Sequence, residues 1–359
     1  MSALLEELNR RAIALGIPLG AQLDVTWRCN ERCIHCYLDH DDAGEMSLAE
    51  IHDLLGQMAQ AGTLFLTISG GEPLLRRDLF DIIGRARGLG FDVKLKTNAI
   101  LIREREAATL CELAIDSVQV SIYSHRAQVH DAITGAPGSL ARSIRAIEVL
   151  RAQGLKVIIA NVLMRSNRAD YPGVQELARR LGAQFSIDPT ITPHLNGGRA
   201  LLALNIARED LRRVMREDSL VGNAAQFCAP PAPADDAALD ALPCSAGHSA
   251  CYISPYGDFY PCVQFPLPCG NIRTQRFIDI WRNSPQLAQV RSIRVRDLPV
   301  CSTCAHVASC SRCPGLAYME GDMRGPSTAD CEKSLARTGI PSANMTRLGR
   351  RGMCRSRTT

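Results

Sequence analysis

Three cysteines stand close together near the start of the chain. Cys29, Cys33 and Cys36 lie in the stretch 24–39, DVTWRCNERCIHCYLD, just after a short apolar run, Leu23 to Trp27. Thiolates at C-x3-C-x2-C spacing can wrap one corner of a cubane [4Fe–4S] cluster. A structural cluster takes four cysteines. Three leave one iron without a protein ligand, open to a substrate or cofactor. A zinc knuckle or three unrelated thiols are the alternatives, although zinc sites favour paired C-x2-C units with a fourth ligand at a set distance.

A second constellation occupies the C-terminal third. Cys244, Cys251 and Cys262 come first, with Gly257 followed by x4 and Cys262. Then come Cys301 and Cys304 in C-x2-C, Cys310 after five residues, Cys313 after two more, and Cys331. Two zinc ribbons or two iron–sulfur sites fit this set. Cys111, Cys228, Cys269 and Cys354 are left over. Cys111 sits in a helical apolar pattern and reads as a small buried hydrophobe. Cys269 lies seven residues after Cys262 and is a spare candidate ligand.

Composition sets the frame. The 359 residues include fifteen cysteines, 46% hydrophobic residues and a net charge of +4. That charge is too small to argue for nucleic acid. No run reaches the ~20 apolar residues of a membrane span. The first eighteen residues form an amphipathic pattern without the apolar core and cleavage site of a signal peptide. A cytoplasmic location is expected, and there so many cysteines point to metal or clusters rather than disulfides.

The elements that must position these residues alternate. Strand-like runs lie at Leu23–Trp27, Leu64–Ser69, Val93–Thr97, Ser117–Ile122, Lys156–Leu163 and Gln184–Asp188. Helical patterns lie at Leu48–Gln60, Asp78–Leu89, Glu104–Leu113, Leu140–Gln153 and Val174–Leu181, with Ser47 and Glu50 as a capping box for the first. Repeated βα units imply a parallel sheet with right-handed crossovers. Either a partial barrel or an open doubly wound sheet satisfies the pattern. In a barrel, working residues sit at the C-terminal ends of strands, where the cysteine loop and the turn Ser69-Gly70-Gly71-Glu72-Pro73 both fall.

The first loop resembles the signature of the radical S-adenosylmethionine (SAM) enzymes, with His35 as the ring before the last cysteine and Tyr37 after it. The resemblance implies an α/β fold, a partial (β/α)6 TIM-type barrel. It also implies that the open iron binds SAM through its amino and carboxylate groups. An electron from the cluster then cleaves SAM to methionine and a 5′-deoxyadenosyl radical, which takes a hydrogen atom from the substrate. By the same resemblance Gly70, Gly71, Glu72 and Pro73 hold the SAM amino group, Glu72 by supporting the shape. Thr97 and Asn98 end strand three, with Ala99 where relatives often have glycine. Ser121 ends strand four and contacts the SAM ribose, and His130, Asp131 and Arg142 follow at similar distances. Arg142 is a candidate for the SAM carboxylate, or else a solvated helix arginine. Asn161 and Asp188, near the ends of strands five and six, line the cavity.

The C-terminal cysteines resemble the SPASM domain of the same enzymes, which carries two auxiliary [4Fe–4S] clusters. The family pattern assigns Cys244, Cys251, Cys262 and Cys313 to the first cluster. It assigns Cys301, Cys304, Cys310 and Cys331 to the second. Cys310-Ser-Arg-Cys313 is one residue shorter than the usual C-x3-C. The expected organisation is a helical lead-in at 1–20, the barrel at 21–195, and a helix and linker at 196–243. The loop-rich iron–sulfur domain follows at 244–335, then a basic tail at 336–359 with Arg347, Arg350, Arg351, Arg355 and Arg357.

The resemblance therefore implies three [4Fe–4S] clusters and SAM in one enzyme. It is closest to peptide maturases of the pyrroloquinoline quinone peptide cross-linking type. The expected substrate is a ribosomally made peptide, cross-linked or oxidised. No extra N-terminal leader-binding domain precedes the barrel, so a separate small chaperone is expected to present that peptide. An external donor such as flavodoxin or ferredoxin is expected to supply electrons. Sulfatase-type oxidation fits less well, because Val263 rather than an acid follows Cys262. The alternatives are a tetrapyrrole side-chain modifier of the haem-synthesis type and a non-catalytic iron–sulfur or zinc scaffold.

Overall fold

Period-two alternation writes the central sheet. In β1 (Gly20–Thr26), Leu23 and Val25 are fully buried, while Gln22, Asp24 and Thr26 take the other face. The same parity runs through β2 (Phe65–Gly70), β3 (Asp92–Thr97), β4 (Ser117–Ser121), β5 (Val157–Val162) and β6 (Gln184–Asp188). The apolar set Leu66, Ile68, Val93, Leu95, Val118, Val120, Val157 and Ile159 is buried in one core. The computed structural model describes residues 3–40 and 44–345; the arginine-rich end of the tail and Cys354 lie outside them.

Helices cover that apolar face: α1 (Ala3–Leu15), α2 (Leu48–Gln60), α3 (Leu79–Gly88), α4 (Glu104–Glu112), α5 (Ala127–Thr134), α6 (Ser139–Ala152) and α7 (Tyr171–Arg180) are the elements of this half. Ile51, Leu54, Leu55 and Met58 of α2, and Ala146, Ile147 and Leu150 of α6, join the core at 0–1% exposure. The capping box at α2 is present. The Glu50 amide donates to Ser47 Oγ at 3.3 Å, and the Ser47 amide donates to Glu50 Oε2 at 2.7 Å.

All neighbouring pairs from β1 to β6 are parallel, in the order β6-β5-β4-β3-β2-β1. Each βα unit steps one strand along, which is barrel-type winding rather than the reversal of a doubly wound sheet. On its other side β1 pairs in parallel with β7 (Ala250–Ile253), and β8 (Asp258–Tyr260) and β9 (Gly270–Asn271) continue antiparallel. The barrel is therefore partial, extended at one edge by a segment from the cysteine-rich third. Helix α5 had no clear start signal in the sequence and emerges only here.

Packing divides the chain into two compact units. One comprises Met1–Asn205 with Ala246–Ala288; the other comprises Ile206–Ser245 with Gln289 onward. The stretch expected as one domain at 244–335 thus contributes to both. The stretch expected as helix and linker at 196–243 is more ordered than its Ala/Pro/Asp composition suggests. It carries α8 (Arg208–Val214), α9 (Asp218–Val221), α10 (Ala224–Phe227) and α11 (Asp236–Asp240). Further along are α12 (Phe277–Asn283), α13 (Pro285–Arg291), α14 (Pro314–Met319) and α15 (Thr328–Thr338). In the second unit Arg208 of α8 forks onto the Glu332 carboxylate of α15 at 2.7 and 2.8 Å.

Candidate functional site

The cysteine loop leaves β1 through an irregularity. Asp24 pairs with Ser69, but Thr26 pairs with Gly70, so one residue is skipped and the strand is redirected. The loop is then pinned by backbone bonds: the Arg32 amide to the Thr134 carbonyl at 2.8 Å and the Ile34 amide to Ile133 at 2.9 Å. The end of α5 is thus its backstop. Cys29, Cys33 and Cys36 all line one cavity of about 350 Å³, together with Ser69, Gly70, Gly71, Thr97, Asn98, Ser121 and Asp188. Burial pushes the Cys29 thiol up to about 11, and raises Cys33 and Cys36 too. Empty, such a site favours neutral thiols; iron binding would displace their protons.

Gly70 and Gly71 are required by closeness. The Gly71 amide donates to the Thr26 carbonyl at 2.8 Å, and the Glu72 amide to the Arg28 carbonyl at 2.9 Å. A Cβ on Gly71 would come within 3 Å of the Arg28 and Trp27 carbonyl oxygens, and Gly70 sits at φ +142°. Glu72 is wholly buried and ties β2 to β3. It accepts from the Leu74 amide at 3.0 Å, from Thr97 Oγ1 at 2.7 and 2.9 Å, and from the Asn98 amide at 2.9 Å. Burial raises its carboxyl above the ordinary value, while these donors pull it back. Pro73 opens the short 3-10 turn that follows. Asn98 Nδ2 donates to Asn30 Oδ1 at 2.7 Å, fastening the third strand end to the cysteine loop. Ala99 takes φ +64°, a left-handed backbone that favours glycine.

Of the expected cofactor residues, Glu72, Pro73, Arg142 and Asn161 do not line the cavity, the first two because they are buried beside the glycine turn. Arg142 is exposed and turns back on its own helix start, with Nε to the Gly138 carbonyl at 3.3 Å and Nη2 to the Pro137 carbonyl at 3.2 Å. Asn161 shares the parity of Val157 and Ile159, so it faces the core. Its Nδ2 donates to the Ile122 carbonyl at 2.7 Å, while Ala160 and Val162 take the cavity wall.

The structure adds residues the motifs did not single out. Gln22, Asp24 and Lys96 have inward parity. Lys96 Nζ donates to Gln22 Oε1 at 3.1 Å, Gln22 Nε2 to Asp24 Oδ1 at 3.0 Å, and Tyr252 Oη to Asp24 Oδ2 at 2.9 Å. Burial raises the Asp24 carboxyl and lowers the Lys96 amine. Lys96, Gln119, Tyr37, Thr190, Thr192, Cys262 and Gln264 complete the wall. Behind the loop Tyr123 stacks on His130 at 5.5 Å and meets His35 edge-on at 4.7 Å. Glu31, between two cysteines, is 4% exposed, and its Oε1 has no hydrogen-bond partner. Polar residues recurring at one parity of otherwise apolar strands were the available signal for Gln22, Asp24, Lys96 and Gln119.

The other cysteines divide between the units. Cys251 and Cys269 are buried in the barrel core, and Cys262 faces the barrel cavity. Cys244 and Cys313 belong to the second unit. There, Cys301, Cys304, Cys310 and Cys331 all line a cavity of about 220 Å³. Donors already point at their sulfurs: the Ala343 amide at Cys304 and Ser334 Oγ at Cys310, both at 3.5 Å. Among the described residues no three His, Cys, Asp or Glu side chains converge on one point as a single metal ion requires. A cubane spreads its ligands over separate irons, and four thiols around one void suit that body.

The comparisons agree with this arrangement. The radical SAM superfamily model matches residues 24–178, and the iron–sulfur cluster-binding SPASM domain model matches 244–314. The AdoMet-dependent heme synthase of Oleidesulfovibrio alaskensis is 30% identical over 326 residues, covering 82% of each chain. The mycofactocin maturase MftC of Mycobacterium ulcerans is 30% identical over 310 residues, again 82% of each. The PqqA peptide cyclase of Xanthomonas campestris pv. campestris is 31% identical over 348 residues, 90% of this chain and 89% of that one. Streptococcus suis SuiB bound to precursor peptide SuiA shares the fold, with TM-score 0.71 at 17% identity, covering 91% of this chain and 80% of that one. The chain belongs to the radical SAM family and carries a SPASM domain. It is an enzyme that binds SAM and iron–sulfur clusters, and among its described residues no helix is long and apolar enough to cross a membrane.

Proposed function

We propose that this enzyme modifies a peptide and holds three [4Fe–4S] clusters. The observation that carries the reading is co-location: the three loop cysteines, the Ser69–Gly71 turn and Ser121 share one cavity at the C-terminal strand ends. The match of PqqA peptide cyclase across both domains supports the substrate class. With cluster and SAM bound, one-electron cleavage of SAM supplies a 5′-deoxyadenosyl radical that removes a substrate hydrogen atom.

The chain's own residues set the geometry. Cys29, Cys33 and Cys36 would hold a [4Fe–4S] cluster through three of its irons, which would leave one for SAM. Gly70 and Gly71 admit the cofactor close to backbone, and Glu72, Thr97 and Asn98 lock that turn to β3. Ser121 lies within the same wall; Arg142 and Asn161, turned elsewhere, drop out of the cofactor set. Lys96, held by Gln22, which in turn donates to Asp24, gives the cavity wall a polar handle for substrate. The aromatic group of His35, Tyr123 and His130 closes the space behind the loop. Cys301, Cys304, Cys310 and Cys331 suit a second cluster, and a third is proposed among the remaining C-terminal cysteines, with electrons from a flavodoxin- or ferredoxin-type donor in the cytoplasm. A separate leader-binding chaperone remains part of the proposal.

Anaerobic reconstitution tests the cluster number. About twelve iron per chain are expected, and Cys29→Ala, Cys33→Ala and Cys36→Ala together should leave about eight and abolish 5′-deoxyadenosine formation. Stoichiometric zinc with little iron would overturn the reading. The heme synthase similarity favours one alternative substrate, a tetrapyrrole. Spectral titration with such a tetrapyrrole, beside mass analysis of candidate precursor peptides, separates the two.

A further inference from the structure

Arg312 is buried at 6% exposure in the wall of the four-cysteine cavity. One edge of its guanidinium is spoken for. Nε donates to the Gly325 carbonyl at 2.8 Å, and Nη2 donates to the Gly325 and Met323 carbonyls. Nη1 is buried with no hydrogen-bond partner. A buried, partly unpaired cation is costly unless a negative group completes it. The carboxylate in the same wall, Asp330, is already engaged. It accepts from the Cys313 amide at 2.8 Å and from Lys333 Nζ at 3.3 Å. Three of the four sulfurs have neutral donors: the Ala343 amide for Cys304, Ser334 for Cys310 and Ser342 for Cys331. Cys301 has no such neutral donor among the hydrogen bonds described, and it lines the same cavity as Arg312. In the sequence Arg312 lies two residues after Cys310, one of the four cavity cysteines.

We infer that Arg312 sets the reduction potential of the cluster held by Cys301, Cys304, Cys310 and Cys331, by placing a buried positive charge with an unpartnered N–H in the wall of the cavity those four sulfurs line. Reduction adds one electron, and so one negative charge, to a thiolate-ligated cluster. A fixed cation nearby stabilises the reduced form more than the oxidised one. Potentials of such clusters respond to net charge, hydrogen bonds to sulfur and solvent exposure. The arginine thereby makes this cluster easier to reduce than it would be without that charge, which suits it to accept an electron. The inference rests on the cavity holding a cluster.

The test is an anaerobic redox titration of the reconstituted full chain, followed by electron paramagnetic resonance, with dithionite as reductant. Cys331→Ala identifies the midpoint belonging to this cavity, because that signal and about four iron disappear. In Arg312→Gln the same midpoint should fall so that, at a fixed poise, the reduced-to-oxidised ratio drops about tenfold, or about 59 mV for one electron. The other midpoints and the iron content should hold. An unmoved midpoint at full iron content overturns the assignment of Arg312. Should Arg312→Gln lose the cluster, Arg312→Lys carries the test. It keeps the charge but not the fork to Gly325 and Met323, so a ratio within about twofold of wild type supports charge as the cause. A tenfold fall in the lysine variant overturns it. If Cys331→Ala removes neither iron nor a midpoint, the cavity holds no cluster, and the proposal fails together with the reading beneath it.

Discussion

Glu72→Gln is the sharpest probe of the turn that the cavity is built on. The carboxylate of Glu72 faces donors only: the Leu74 amide on Oε1, the Asn98 amide on Oε2, and Thr97 Oγ1 spanning both. An amide side chain keeps the shape but turns one acceptor into a donor. Whichever way it flips, an NH2 then faces a backbone N–H, and that buried donor goes unmet. A hydrogen bond to a charged group contributes roughly 1.5–3 kcal/mol, and a stranded buried donor costs roughly 1–3 kcal/mol. Because the two overlap, a loss of about 2–4 kcal/mol is expected. For a unit of this size that means a Tm lower by roughly 5–12 °C. Thermal unfolding of the reconstituted protein by circular dichroism measures it. A double-mutant cycle with Thr97→Val should show coupling of about 1 kcal/mol or more. SAM affinity by equilibrium dialysis should weaken about tenfold, since Gly70 and Gly71 lose their brace. A variant whose Tm stays within about 2 °C of wild type, with SAM affinity unchanged, would show that Glu72 is not the tie between β2 and β3.

Gly71→Ala should be worse for SAM than for folding. The added methyl meets two backbone carbonyls that cannot step aside, so SAM binding by dialysis should drop below detection while the far-ultraviolet spectrum holds; near-normal binding would refute the close approach. His130 gives a pH dependence. Burial lowers its pKa from 6.5 to about 4, and its Nδ1 accepts from the Tyr123 amide at 3.1 Å. The folded state resists the proton that the unfolded chain accepts, so this contribution is complete above pH 6.5 and lost as pH falls toward 4. About 3 kcal/mol is at stake, and His130→Gln should flatten that limb of a urea-stability profile; an identical acid limb in both proteins would count against it.

Much of this was open to reading because the signals were local. Strands β1 to β6 and, α5 apart, the helices between them announced themselves through period-two and helical alternation, and the capping box at Ser47 and Glu50 fixed the start of α2. Cys29, Cys33 and Cys36 with the Gly70–Pro73 turn were legible because backbone approach and cluster ligation constrain spacing tightly. What spacing does not carry is direction. Asn161 sits at the right end of the right strand, but its parity is that of Val157 and Ile159, and a one-residue step in a strand exchanges core for cavity. Arg142 lies on a helix whose first turn leaves carbonyls within reach of its own side chain, and that local offer wins over a distant ligand.

The C-terminal third marks the limit more clearly. Residues 244–335 look continuous because cysteines punctuate them evenly, yet Ala250–Ile253 adds to the barrel sheet beside β1, while Cys301 to Cys331 enclose a separate void in the other unit. Cysteine spacing reports ligation, and ligation is blind to which core a residue helps to build. The core is chosen by apolar neighbours: Phe259, Phe277 and Trp281 are fully buried with the barrel strands, and they draw the hairpin between Cys251 and Cys269 with them. Arg312 was passed over for the same reason. In the sequence it is only the residue that fills a shortened C-x2-C, and its meaning comes from Gly325 and Met323, whose carbonyls hold the guanidinium against a cavity that spacing alone could not draw.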